Sequence, residues 1–138
     1  MTNILIVDDY APNHRLMSFV LEQNGYAVVS ALDGLNALDC LERMQIDLIV
    51  TDLTMPRLDG LGLAARVRAD ARFSDIPIIV VTASSAETDA AKAEGVGVDV
   101  FLTKPVDSEE LARTVCELVT KDVAPDGPPT FGRRRSAA

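Results

Sequence analysis

At 138 residues and a formal net charge of −8, the chain has the length of one ordinary domain, able to bury roughly two-thirds of its unfolded surface without disulfides or a structural metal. Hydrophobic residues make up 48%, yet no run approaches the roughly 20 apolar residues of a membrane-spanning helix. In residues 122–138, Arg133, Arg134 and Arg135 stand against Asp122 and Asp126, leaving −9 on the rest of the chain, a balance that repels phosphate backbones and argues against DNA or RNA binding by the body.

Met1-Thr-Asn leads straight into Ile4-Leu5-Ile6-Val7, which predicts an unexported, cytoplasmic protein and a first strand buried on both faces. Asp8 and Asp9 close that strand. Pro12 suits the first turn of the helix that follows, and Gly25 supplies a left-handed residue at its end. The lone His14 on this helix reads as a surface residue near a partner rather than a ligand or phosphodonor. A weaker strand covers residues 26–31, and Asp33 is placed to N-cap the second helix.

Leu48-Ile49-Val50 forms the third strand and runs into Asp52, and the apolar run over residues 76–81 forms the fourth and runs into Thr82. Val100-Phe101-Leu102 is the fifth, with Lys104 just beyond it. Ser84-Ser-Ala-Glu87 and Asp107-Ser-Glu-Glu110 carry the capping-box spacing or its Asp variant. Leu111, Val115, Leu118 and Val119 then make one apolar stripe on the last helix, fit to close one side of a sheet. Cys40 and Cys116 lie in helical stretches without CxxC spacing or a histidine nearby, so both read as reduced structural thiols. From Asp122 the Pro-, Gly- and Arg-rich sequence reads as a disordered tail, giving a domain over residues 1–121 and a tail over 122–138.

Five β-α units in a row predict an α/β fold, an open parallel sheet with helices on both faces. Ligands of such sheets collect beyond the carboxyl ends of the strands, where strand order reverses. Asp8, Asp9, Asp52, Thr82 and Lys104 all fall at strand ends of this kind. Each has an ordinary explanation alone, as a cap, turn, strand or solvated residue; their coincidence at four strand ends points to one site. Three carboxylates gathered there repel by about 4 kcal/mol per pair at 4 Å and an effective dielectric near 20. Lys104 offsets part of this, and a hard divalent cation, Mg²⁺, suits the remainder together with waters and a phosphate ligand.

Asp8-Asp9, Asp52 within Thr51-Asp-Leu-Thr-Met-Pro-Arg-Leu-Asp-Gly60, Thr82-Ala83 and Thr103-Lys104-Pro105 together resemble, in order and spacing, the receiver domain of two-component response regulators, over roughly residues 2–121. The resemblance implies a flavodoxin-like, doubly wound, five-stranded sheet of order 2-1-3-4-5 with five helices. It implies that Asp52 takes a phosphoryl group from a phosphohistidine on a sensor histidine kinase or histidine phosphotransfer protein. Mg²⁺ would be held by Asp9 directly, Asp8 mainly through water, Asp52, and the Thr54 carbonyl; Lys104 and the Thr82 hydroxyl would meet the phosphoryl oxygens, and Phe101 would turn inward as Thr82 moves. A cis Lys104-Pro105 peptide is implied as well. The chain would be a phosphoacceptor switch rather than an enzyme on other substrates, monomeric or a phosphorylation-linked homodimer. With no DNA-binding or catalytic segment following, its output is expected to be contact with a downstream protein target.

Val106, where an aromatic residue is common, and Gly97-Val-Asp-Val100, where a small-acidic run is usual, depart from the family pattern on the output face. A flavin carrier of the same architecture would need a hydroxyl- and glycine-rich loop after the first strand, where two carboxylates would instead repel its phosphate. An aspartyl-phosphate hydrolase would want a second carboxylate two residues beyond Asp52, where Thr54 stands. A phosphorylation-independent docking module of the same fold remains a third reading.

Overall fold

A computed structural model describes residues 2–54, 57–83, 87–104 and 106–120. Ten elements alternate: β1 (Asn3–Val7), α1 (Ala11–Gln23), β2 (Ala27–Ala31), α2 (Gly34–Arg43), β3 (Leu48–Asp52), α3 (Gly60–Ala69), β4 (Ile78–Thr82), α4 (Glu87–Gly95), β5 (Val100–Thr103) and α5 (Ser108–Thr120). The strands form one parallel sheet in the order β2-β1-β3-β4-β5, as expected for the flavodoxin-like fold.

Alternation along each strand divides the core into two layers. Leu5, Val7, Ile49, Ile78, Val80 and Phe101 meet Leu41 of α2 and Leu63 and Val67 of α3, while Ile4, Ile6, Val50, Ile79, Val81 and Leu102 meet Met17 and Leu21 of α1 and Leu111, Val115 and Leu118 of α5. Because both faces are covered, the central strands carry consecutive apolar residues, Ile4 to Val7, Leu48 to Val50 and Ile78 to Val81, rather than one at every second position. Each fully buried Leu, Ile or Val contributes about 1.5–3 kcal/mol of transfer free energy, so these layers dominate the stability.

Local chemistry sets the ends of the helices. Pro12 occupies the first turn of α1, where its missing N–H removes no helical bond, and Gly25 follows the α1 C-cap at φ +89°. Asp33 accepts from the Asn36 N–H to start α2, and Asp107 from the Glu110 N–H to start α5. The Ser84–Glu87 capping spacing, the Lys104-Pro105 peptide and the 122–138 tail lie outside the described residues. β4 begins two residues later than its apolar run: Pro77 has no N–H to pair, and Ile76 is held in a turn by its N–H to the Phe73 carbonyl.

Candidate functional site

The chain passes from β1 outward to β2 and then returns past β1 to β3, so strand order reverses between β1 and β3. A crevice opens at the carboxyl ends of that pair. Asp8 leaves β1 into it, Asp52 is the last residue of β3, Thr82 the last of β4, and Lys104 follows β5. Oxygens of Asp8, Asp9 and Asp52 lie within 4.8 Å of one another. Asp8 is buried, Asp52 half-buried and Asp9 exposed.

Asp8 is held firmly but left incomplete. Its Oδ1 accepts the Tyr10 N–H at 2.8 Å, and its own N–H donates to the Ala31 carbonyl at 3.2 Å. Its Oδ2 is buried without a hydrogen-bond partner among the described residues, with the Lys104 Nζ 3.6 Å away. The same ammonium lies 3.5 Å from Asp52 Oδ1, which also accepts the Leu53 N–H at 2.8 Å. One cation thus faces two carboxylates at ion-pair rather than hydrogen-bond distance. Burial raises the Asp52 carboxyl above the ordinary carboxylate range and Asp8 adds to the rise, while Lys104 opposes both. A buried carboxylate oxygen with no donor, beside two more carboxylates, is the surrounding a hard divalent cation completes.

Two close approaches hold the loop after β3 near the acceptor. The Gly60 N–H donates to the Leu53 carbonyl at 2.8 Å, and a Cβ on Gly60 would overlap the Asp52 carbonyl oxygen. Only glycine lets α3 start so near the Asp52 peptide; Asp59 caps that helix through the Gly62 N–H at 2.8 Å. Thr82 is buried, and its carbonyl accepts the Lys104 N–H at 2.7 Å, fixing the β5 exit against β4. Phe101, expected to turn inward as Thr82 moves, is already inward here: it is 6% exposed and belongs to the core layer that faces α2 and α3.

Thr54, two residues past Asp52, is exposed. His14 is not the surface residue expected. It is half-buried, its Nδ1 3.3 Å from Ser18 Oγ, because it precedes the core residues Met17 and Leu21 by one and two turns and shares their inward stripe. An ion pair between Asp33 and Arg57 escaped the sequence reading; Asp33 was legible only as a cap, and Arg57 carries no local signal. The Asn36 N–H and then the Arg57 guanidinium hold the Asp33 carboxyl below its usual range. Beside Lys104, an apolar cleft of about 320 Å³ opens between α1 and α5, lined by Leu16, Met17, Val20, Val106 and Leu111.

A family model described as the response regulator receiver domain matches residues 4–116. The chain belongs to that family. This receiver domain is 38% identical over 121 residues to the DNA-binding dual master transcriptional regulator RpaA of Synechocystis, a match covering 88% of this chain and 50% of RpaA. It is 35% identical over 115 residues to Protein PilH of Pseudomonas aeruginosa, covering 83% of this chain and 95% of PilH. The chain therefore spans about half the length of the first relative and nearly all of the second. Among solved structures it matches, at a TM-score of 0.79 and 30% identity, the receiver domain of a sensor histidine kinase from Pseudomonas aeruginosa with a magnesium ion coordinated in the active site cleft, covering 86% of this chain and 97% of that one. No helix among the described residues is long and apolar enough to cross a membrane.

Proposed function

We propose that this receiver domain is a phosphoacceptor switch in which Asp52 takes a phosphoryl group from a phosphohistidine, with Mg²⁺ held by Asp8, Asp9, Asp52 and the Thr54 carbonyl. The observation that carries the reading is the buried Asp8 Oδ2, without a donor among the described residues, beside two further carboxylates, with Lys104 shared between Asp8 and Asp52. When bound, Mg²⁺ supplies neutralisation of the carboxylate charge and of the charge on the transferring phosphoryl oxygens.

The residues of the chain do the rest. The Leu53 N–H orients the Asp52 carboxylate, and partial burial limits the water that could compete with it. A carboxylate oxygen of Asp52 forms the new O–P bond as the N–P bond of phosphohistidine breaks; the electron pair leaves with the imidazole nitrogen, which then takes up a proton. Lys104 turns from the carboxylates to a phosphoryl oxygen, and Thr82 donates its hydroxyl to another. The added charge and acceptor oxygens, met by Thr82 at the end of β4 and Lys104 just after β5, change the surface offered to a target.

The donor is a sensor histidine kinase or histidine phosphotransfer protein, and the output is protein–protein contact. The cleft between α1 and α5, lined by Leu16 at 54% exposure, offers such partners an apolar surface beside the acceptor. Thr54, two residues past Asp52, leaves no carboxylate to serve a hydrolase as acid or base.

Incubation with acetyl phosphate and MgCl₂, read by intact mass, tests the proposal. Wild type is expected to gain one phosphoryl group, to gain none in EDTA, and Asp52→Asn to gain none in either. An unmodified wild type, or an adduct that persists in Asp52→Asn, overturns it.

A further inference from the structure

Arg57 is the only non-glycine residue with positive φ among the described residues, at +68°. A side chain with a Cβ rarely adopts this conformation unless something holds it there. The holding contact is visible: although the Arg57 side chain is 62% exposed, its guanidinium ends on the Asp33 carboxylate, which is 7% exposed, with Nε 2.9 Å from Oδ2 and Nη2 on the same oxygen. Asp33 Oδ1 is meanwhile committed to the α2 cap through the Asn36 N–H. One residue on, the Leu58 carbonyl accepts the Gly34 N–H at 3.0 Å, where a Cβ on Gly34 would overlap Leu58.

Arg57 and Leu58, in the second half of the β3–α3 connection, are therefore fastened to the β2–α2 connection, and Gly60 just beyond them to Leu53. Thr54 lies three residues before Arg57 in this loop. Mg²⁺ demands near-ideal octahedral geometry at about 2.0–2.1 Å, so a backbone carbonyl serves as a ligand only when its loop is already in place. Groups that hold ligands from outside the coordination sphere act on affinity in this way.

We infer that the Asp33–Arg57 pair is a latch that presets the β3–α3 loop for Mg²⁺, making both residues positioning residues for the metal rather than ligands. The inference rests on the Mg²⁺ site proposed above.

Two variants isolate the latch from folding. Asp33→Asn keeps an α2 cap of equal quality while removing the charge opposite Arg57. Arg57→Gly accepts the positive φ freely, so the loss of the pair is not compounded by strain. Mg²⁺ binding to the full chain is measured by calorimetry with MgCl₂, alongside the Mg²⁺ dependence of acetyl phosphate labelling and a urea melt in EDTA. Each variant is expected to bind Mg²⁺ about tenfold more weakly, the lower end for outer-sphere partners. The double variant should be no weaker than either single one, because both remove the same interaction. Half-maximal labelling should need correspondingly more Mg²⁺, with the rate at saturating metal retained and Arg57→Lys recovering part of the loss. Wild-type affinity in both variants, or a labelling defect that saturating Mg²⁺ leaves in place, overturns the latch while leaving the site intact. Absence of Mg²⁺ binding by wild type itself overturns the site, and the latch with it.

Discussion

The two ends of the sheet are built to opposite rules. At the amino ends of the strands, Asp99 and Asp47 have their donors in place. Arg68 of α3 donates through Nε to the Gly97 carbonyl, through Nη1 to the Ser74 and Ile76 carbonyls, and through Nη2 to Asp99, at 2.7–3.1 Å. Asp99 also accepts the Ile78 N–H at 2.8 Å, and Asp47 accepts the Asn3 N–H at 2.8 Å, so carboxylates satisfy the first N–H groups of β4 and β1. At the carboxyl ends, Asp8 keeps a buried oxygen without a donor among the described residues, and Lys104 is divided between two carboxylates. The difference teaches where this fold places stability and where it places chemistry: finished hydrogen bonds at one end, unfinished charge at the other, where a cation and a phosphoryl group enter.

Removing the Arg68 hub should have the largest effect. Arg68→Ala strips four hydrogen bonds, one of them the ion pair to Asp99; a loss of about 3 kcal/mol is expected, the lower end for breaking a buried pair because both side chains retain some water. Urea denaturation measures the loss, and Mg²⁺ affinity below the unfolding transition should match wild type. A cost under about 1 kcal/mol would mean that the hub is no more than a surface ion pair.

The opposite sign is expected for Asp52→Asn without metal. Asp52 is raised in the folded state, so between the ordinary carboxylate pKa and the raised folded value the folded protein holds a proton that the unfolded chain has lost. Wild-type stability therefore falls as pH rises through that window. Asparagine lacks this fall. In EDTA the variant should be the more stable protein at neutral pH, with the advantage shrinking as pH drops through the window. Saturating Mg²⁺, which binds the folded, ionised site, should reverse the order. A less stable variant in EDTA at neutral pH would show that the Lys104–Asp52 attraction outweighs burial, and the contrast between the two ends would fail.

How much of this was legible in the sequence follows from how local each cause is. The central strands were plain because burial on both faces writes unbroken apolar runs, whereas β2, an edge strand with one fully buried residue among five, read weakly for the same reason. Asp33, Gly25 and Pro12 act within a turn of their own position and were legible as caps. Asp8, Asp9, Asp52, Thr82 and Lys104 were legible because the strand pattern itself says which residues share the carboxyl edge. Arg57–Asp33 and Arg68–Asp99 were not, since their partners are 24 and 31 residues apart and only the folded chain brings them together. His14 shows the complementary error, a polar residue assigned to the surface by its chemistry although its helical phase with Met17 and Leu21 turned it inward.

The smallest effect is expected at the first residue of β1. Asp47→Ala removes the acceptor of the Asn3 N–H, but the reciprocal bond from the Asp47 N–H to the Asn3 carbonyl, at 2.8 Å, belongs to the backbone and survives. Asn3 is half-buried, so water can take the lost place, and the cost should be that of one ordinary hydrogen bond, about 1 kcal/mol. Mg²⁺ affinity should be untouched, because Asp47 lies at the opposite end of the strands from the carboxylate cluster. Set beside Asp52→Asn in a urea melt in EDTA, the pair makes a direct test: removing a carboxylate at one end of the sheet lowers stability, and removing one at the other end raises it. Equal signs would mean that the two ends are not differently built.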